Sequence, residues 1–330
     1  SVESGRILAG LDFTGSASGA DDRFGHGTHI AGTIGGSGAD GSVRGIAPGV
    51  EFVSLKVLDD EGEGRVSGVI EAIEWAMENK EAYRIRIMNL SLGHPVAESY
   101  RTDPLTLAVA RAWASGITVI ASAGNNGRIE PHNFTINSPG NSPYVLSVGA
   151  MNDLNTADRS DDIIATYSSR GPSWGDWVVK PDLVAPGNRI VSTHVPGSTL
   201  AGLLPDNVKG GQRFELSGSS MATGVVSGGA ALLLERNPNL SPDQIKSILM
   251  YSADKPEDNV VFETGAGYLH LVRALSFTGP FESYRFNTAS SVIRPSEKGL
   301  VIGHAIPLKA LIKIFWPDSA LLTETALWGD

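Results

Sequence analysis

The sequence predicts an α/β fold: a three-layer, doubly wound, mostly parallel sheet with helices on both faces, followed by a short C-terminal extension. Two observations carry this. From residue 6 to about 275, short β-branched runs alternate with stretches of helical periodicity, the pattern of strand–helix–strand crossovers. Past residue 276 that rhythm fades, and 299–302 and 306–315 read as strands or extended chain. The expected division is a main domain over 1–275, with its N-terminal part missing, and an appended segment over 276–330 that is β-rich or partly extended.

Strands are expected over 6–13, 52–57, 85–90, 118–122 and 145–150. Between them lie helices with readable ends. Val66, Val69, Ile70, Ile73 and Met77 fall on one face at helical spacing. The next helix takes Thr102 or Asp103 as its cap, holds Pro104 in its first turn, runs through Trp113 and meets Gly116 where a helix should stop. Ser241, Pro242, Asp243 and Gln244 form a capping box for a helix through Met250. These apolar stripes are core packing, so they locate the sheet and not the chemistry.

Composition narrows the function classes. The 330 residues are 41% hydrophobic and 7% aromatic, an ordinary globular balance, with 39 glycines that imply many tight turns and close backbone approaches. Thirty-six acidic against 26 basic residues give a formal charge of -10 with no basic cluster, so nucleic acid is not an expected partner. The absence of cysteine excludes a disulfide framework, a thiol nucleophile and a cysteine zinc site. No apolar run approaches the roughly 20 residues that span a bilayer. The chain opens at Ser1 without an initiator Met or an apolar leader and ends abruptly at Asp330, so processing or truncation upstream and a continuation downstream are both expected.

Three segments carry chemistry. His26 stands in Gly25-His26-Gly27-Thr28-His29-Ile30-Ala31-Gly32, where small residues let a helix pack tightly on a sheet. Ser220 stands in Gly218-Ser219-Ser220-Met221-Ala222-Thr223, ahead of a small, apolar helix. A serine in the first turn of a buried helix sits at the positive end of the helix dipole, which favours the negative charge of an acyl-transfer transition state. A serine there also serves as an ordinary cap. The run 117–120 leads into Ala121-Ser122-Ala123-Gly124-Asn125-Asn126-Gly127, and an Asn at the carboxyl end of a parallel strand can aim its amide at a developing oxyanion. The same residues are common in plain turns.

In wording and order these segments resemble the subtilase family of subtilisin-like serine proteases. The resemblance makes Ser220 the nucleophile, His26 the general base and Asn125 the oxyanion donor. Histidine before serine, and the lack of a second glycine after Ser220, argue against an α/β-hydrolase. The likeness extends to Arg44-Gly45-Ile46-Ala47-Pro48-Gly49, to Lys56-Val57-Leu58, to 180–187 and to Gly265-Ala266-Gly267-Tyr268-Leu269. It covers roughly residues 5 to 275. By resemblance, Gly62 and Gly64 form one edge of the substrate cleft and Ser91, Leu92 and Gly93 the other. An extended polypeptide substrate between these edges would add as a strand, and Ala123 and Gly124 would wall the pocket before the cut.

The chain departs from the family pattern in one important place. The family order is Asp, His, Ser, with the aspartate ending the first sheet strand some thirty or more residues before the histidine, and only 25 residues precede His26. Asp12, in Leu11-Asp12-Phe13-Thr14-Gly15, lies too close to leave room for an intervening strand. Asp22, four residues before His26, fits still less well. The preferred alignment makes 6–13 the following strand and 21–24 the acidic lead-in, which places the catalytic aspartate upstream of Ser1. This stretch alone is therefore expected to be feeble or misfolded. Ser219 for the usual threonine, and Gly224 for the usual proline, are read as harmless.

The resulting expectation is a serine endopeptidase, a hydrolase that works through an acyl-enzyme. The alternative is a catalytically weak or inactive subtilase-fold binding module, and the same site chemistry would also serve ester hydrolysis or acyl transfer to amines. No metal and no cofactor are expected, since 35–43 and other segments lack a ligand pattern; structural calcium rests on family resemblance only. Resemblance also implies a secreted, extracellular monomer whose own propeptide is a further partner.

Overall fold

The computed structural model describes residues 4–39, 43–129, 133–255, 261–279, 289–297, 299–305 and 307–308. Parallel strands form the body. β1 (Ile7–Asp12) pairs with β2 (Phe52–Lys56), and β3 (Ile87–Leu90), β4 (Thr118–Ser122) and β5 (Leu146–Asn152) pair in that order. On the far side of β5 come β6 (Ile163–Ile164), antiparallel, and β7 (Leu183–Pro186), parallel. β8 (Ile190–Thr193), β9 (Val208–Lys209) and β10 (Arg213–Leu216) make a small antiparallel sheet in the order β8-β10-β9.

Helices cover both faces. On one side α2 (Val66–Glu78), continued by the single turn α3 (Lys80–Tyr83), and α4 (Pro104–Ala114) bury Val69, Ile73, Val109 and Trp113 against Val119, Ala121 and Val145. On the other, beyond the short α5 (Thr199–Leu203) in the chain, α6 (Ser219–Arg236) and α7 (Pro242–Ser252) bury Val226, Leu233 and Ile245 against Ile120, Leu146, Val148 and Leu183. α1 (His26–Gly35) adds Ile30 and Ile34 to a third cluster with Phe214, Leu216 and Met221. Apolar residues with β-branched and small shapes fill a strand buried on both faces, and all five residues of β4 are buried.

The helix starts follow from local hydrogen bonding. Asp103, rather than Thr102, caps α4, its carboxylate accepting from the Leu105 amide at 2.9 Å, with Pro104 in the first turn. Ser241 and Gln244 form both halves of the α7 capping box. At α1 the N-cap residue is Gly25, and the side chain that serves the helix start is Asp22, three residues earlier: its two carboxylate oxygens accept from the Gly25 and Thr28 amides, each at 2.7 Å. α6 is apolar or small on every side, as a helix enclosed by protein must be, and 14 of its 18 residues are buried.

The parallel sheet is divided. α2 carries the chain from β2 to β3, yet among the described residues no strand ladder joins the two. Phe52, Val53, Leu55, Ile87, Met88 and Asn89 along the division are only half-buried, in contrast to β4. β2 pairs only with β1 and β3 only with β4, so each keeps one edge without a strand ladder among the described residues.

In the C-terminal segment, β11 (Val292–Ser296) and β12 (Gly299–Gly303) form a hairpin. Its first strand is tied to the main body: the Val179 amide donates to Ser291 O at 2.8 Å and the Ile293 amide to Trp177 O at 3.0 Å. Val292, Ala305 and Leu308 are buried in the same cluster as Trp113 and Val109. Most of the extended run expected over 306–315 lies outside the described residues.

Candidate active site

Two helices bring the histidine and the serine to one end of the molecule. Along α6, Gly224 lies against Ile30 and Thr33 of α1, and Gly228 lies against Ile34 O and Ile46. Contacts that advance together along both chains mean the helices run in the same direction. One turn back from Gly224 is Ser220, and one turn back from Ile30 is His26, each in the first turn of its helix.

The two histidines of the motif differ in environment. His29 is fully buried, its Nε2 lying 3.1 Å from Ile190 O and 3.0 Å from Phe214 O, so that ring is a neutral donor that ties α1 to β8 and β10. Burial pushes its pKa down to about 4. His26 is half-buried and, among the described residues, its ring forms no hydrogen bond. Desolvation lowers its pKa, opposed by the negative charge of Asp22.

Ser220 sits at the junction of α6 and the end of β3. Its Oγ donates to Ser91 O at 3.3 Å, while Ser91 Oγ donates to Ser220 O at 2.9 Å. Ser91 Oγ accepts from Asn89 Nδ2 at 2.9 Å, and Asn89 Oδ1 accepts from Ser227 Oγ at 2.9 Å. A hydrogen-bonded row thus joins β3 to the first three turns of α6. Sequence reading did not find Asn89 or Ser227, because their link crosses 138 residues.

Asn125 follows β4 and is exposed, but its oxygen is held: Oδ1 accepts from the Ser219 amide at 2.8 Å and from Ser219 Oγ at 3.0 Å. The chain before it turns at Gly124, whose φ of 112° is barred to most side chains and whose missing Cβ would strike Ser169 Oγ. Ala123 is fully buried behind it.

The residues expected at the two cleft edges lie in the turn after β2 and just after β3. Asp59 organises the 59–63 turn by accepting from the Glu61 and Glu63 amides at 3.0 and 2.9 Å. In that turn Gly62, at φ 85°, leaves room for the Phe24 ring, which fixes this edge beside the lead-in to His26. Gly64 lies against Val57 O and Leu58. After β3, Ser91 holds Ser220, Leu92 packs on the core and its carbonyl accepts from Ser122 Oγ at 3.2 Å, and Gly93 lies against Ser138 O.

Neither Asp12 nor Asp22, the two aspartates weighed in the sequence, hydrogen-bonds to His26. Asp12 Oδ1 accepts from the Thr14 amide at 3.0 Å and Thr14 Oγ1 at 2.6 Å, bonds that hold its pKa below the ordinary value. Both oxygens of Asp22 serve the α1 cap. Among the described residues no group of three or more His, Asp or Glu side chains is arranged to hold a metal ion. No helix among them is long and apolar enough to cross a membrane.

Comparison with known proteins bears on the family and the fold. Residues 9–267 match the model of the subtilase family. The chain is 41% identical over 271 residues to serine protease AprX of Bacillus subtilis (strain 168), an alignment that covers 80% of this chain and 60% of that protein. It is 33% identical over 269 residues to subtilisin DY of Bacillus licheniformis, covering 82% of this chain and 84% of that one. Among solved structures, sphericase superposes with a TM-score of 0.64 at 30% identity, covering 78% of this chain and 82% of that one. A cold adapted subtilisin-like serine proteinase gives 0.59 at 32%, covering 80% of each.

Proposed function

Because the chain belongs to the subtilase family, we propose that it is the greater part of a secreted serine endopeptidase that cleaves extended polypeptides through an acyl-enzyme. The observation that carries this is the parallel packing of α1 on α6, which sets His26 and Ser220 at a common end beside Asn125. Ser220 Oγ attacks the peptide carbonyl, and the His26 imidazole takes its proton and delivers it to the leaving amine. The Asn125 amide and the Ser220 N–H hold the oxyanion at the positive end of α6. Water then releases the acyl group by the same proton path.

The carboxylate that orients His26 comes, in this reading, from a strand outside these 330 residues. The division between β2 and β3 supports it. Lys56, at the end of β2, donates to Asp21 O at 2.9 Å, five residues before His26, and Ser91 follows β3 and holds Ser220. A parallel strand in that place would therefore deliver its last residue between the histidine and the serine.

One observation favours a second reading, a catalytically weak binding module. The Ser220 hydroxyl is turned to Ser91 O, and His26 has no orienting partner among the described residues.

Fluorophosphonate labelling and peptide cleavage, run side by side on this chain and on the complete natural protein, separate the two. Labelling at Ser220, with label and cleavage both lost in Ser220→Ala, is expected. A scaffold would not react, and full cleavage by Ser220→Ala would overturn the mechanism. Full proteolytic rates from the 330-residue chain alone would overturn the missing carboxylate.

A further inference from the structure

We propose that Asn89 is a positioning residue for the nucleophile: acting through Ser91, it fixes where Ser220 stands against the chain that leaves β3. The proposal rests on the reading of Ser220 as the nucleophile and adds to it.

From its start to Ala230, α6 carries many small residues, Ala222, Gly224, Gly228 and Gly229 among them, and apolar contact has no direction of its own. Directional bonds must therefore set how far the helix slides along its axis. Ser220 and Ser227 are seven residues apart, two turns that return to almost the same side of the helix. Asn89 and Ser91 are two residues apart, the spacing that puts strand side chains on one side. The two pairs meet level with each other: Ser91 Oγ lies 2.9 Å from Ser220 O, and Asn89 Oδ1 lies 2.9 Å from Ser227 Oγ. The bond from Asn89 Nδ2 to Ser91 Oγ, also 2.9 Å, joins the two levels.

The chemistry of these groups leaves one arrangement in which every bond is made. Ser220 O can only accept, and the Ser91 hydroxyl has one proton to give. With that proton on Ser220 O, the contact between Ser91 and Asn89 needs a donor from Asn89. The amide therefore turns its NH2 to Ser91 and its oxygen to Ser227, whose hydroxyl donates. A reversed amide would ask Ser91 for a second proton. Ser91 also meets the nucleophile a second time, since its backbone oxygen accepts from Ser220 Oγ at 3.3 Å. The hydroxyl that must pass its proton to His26 thus starts from a point that Ser91 defines, and Asn89 holds Ser91. A displacement of reacting atoms by about 1 Å can cost about 10²-fold in rate, so even a partial slip of this row should register in turnover.

The test is steady-state kinetics of the complete natural protein, with active sites titrated by a fluorophosphonate, on Asn89→Ala, Asn89→Asp, Ser91→Ala and the double variant Asn89→Ala/Ser91→Ala. Asn89→Ala is expected to lower kcat per active site about tenfold, equivalent to about 1.4 kcal/mol, with KM little changed. Asn89→Asp keeps the size and the acceptor for Ser227, but the ionised carboxylate cannot donate to Ser91, so it should be as slow. The double variant should be no slower than Ser91→Ala. Wild-type kcat per active site in either Asn89 variant, whatever its melting temperature, would overturn the proposal in favour of a structural role. A multiplicative loss in the double variant would overturn it by showing that Asn89 acts by a route other than Ser91. Full cleavage by Ser220→Ala would instead remove the nucleophile reading itself, a result distinct from both.

Discussion

Gly224 of α6 and Ile30 of α1 stand side by side one turn inside Ser220 and His26, with a Cβ built on Gly224 falling 3.5 Å from Ile30 Cγ2. That spacing has room for a methyl group. At Gly228, one turn on, a Cβ would fall 2.5 Å from Ile46 Cβ and has no room. Gly224→Ala is therefore expected to be neutral or to stabilise by up to about 1 kcal/mol through helix propensity. Gly228→Ala should cost about 1–3 kcal/mol by overpacking. Urea midpoints of the two variants check the contrast, and equal midpoints would refute the helix contact described.

Acid should destabilise the protein through His29. Its folded pKa is depressed to about 4 from an ordinary 6.5, so the unfolded chain takes up the proton first as pH falls. The stability it contributes is complete above pH 6.5 and declines between 6.5 and 4, by about 3 kcal/mol in total. His29→Gln cannot titrate there. Unfolding free energies of both proteins across that range should diverge, with the wild-type curve steeper.

Asp22 should act on both the helix and the histidine. Asp22→Ala removes the acceptor of the Gly25 and Thr28 amides and is expected to cost about 1–2 kcal/mol. Asp22→Asn keeps most of the shape but removes the charge that raises the His26 pKa. An NMR titration of His26 in this chain should give an apparent pKa below 6.5, and a lower one in Asp22→Asn. An unchanged value in the variant would show that Asp22 does not act electrostatically on the ring.

A buried cluster under the C-terminal segment should make stability rise with pH. Lys180 Nζ lies 2.6 Å from Asp182 Oδ2, Lys246 Nζ lies 3.2 Å from Oδ1, and Ser290 Oγ donates to Oδ1 at 2.5 Å. Burial, with Lys246 adding to it against the opposing pull of Asp182, lowers the Lys180 pKa to about 7. The unfolded chain then holds more protons than the folded one from pH 7 up to the ordinary lysine range, so this group adds stability as pH rises through that window. Lys246→Met removes one like charge and should flatten the gradient. Asp182→Asn, which leaves two buried cations without a counter-ion, should cost about 3–5 kcal/mol.

Local devices were legible in the chain. The Pro104 start, the Ser241 capping box and the strand of 118–122 all appear where the residues place them, because each depends on neighbours within a few positions. The cap of α4 needed the fold to choose: Asp103 rather than Thr102 is buried against Ser138, whose hydroxyl donates to it at 2.6 Å across 35 residues. Ser219, 94 residues from Asn125 in the chain, meets its side-chain oxygen only in the folded protein. The row from Ser227 through Asn89 to Ser91 has no sequence signal, since its members share no motif.

By itself the sequence determined the residue types able to carry acyl transfer, their order, and the helix starts that would present them, because those depend on motif wording and short-range hydrogen bonding. The tertiary structure alone decided that His29 is buried as a neutral tie while the His26 ring has no hydrogen-bond partner among the described residues, and that Asn125 Oδ1 faces Ser219. It also revealed the divided sheet between β2 and β3. Burial and long-range hydrogen bonds are properties of surfaces brought together from distant parts of the chain, and no local spacing encodes them.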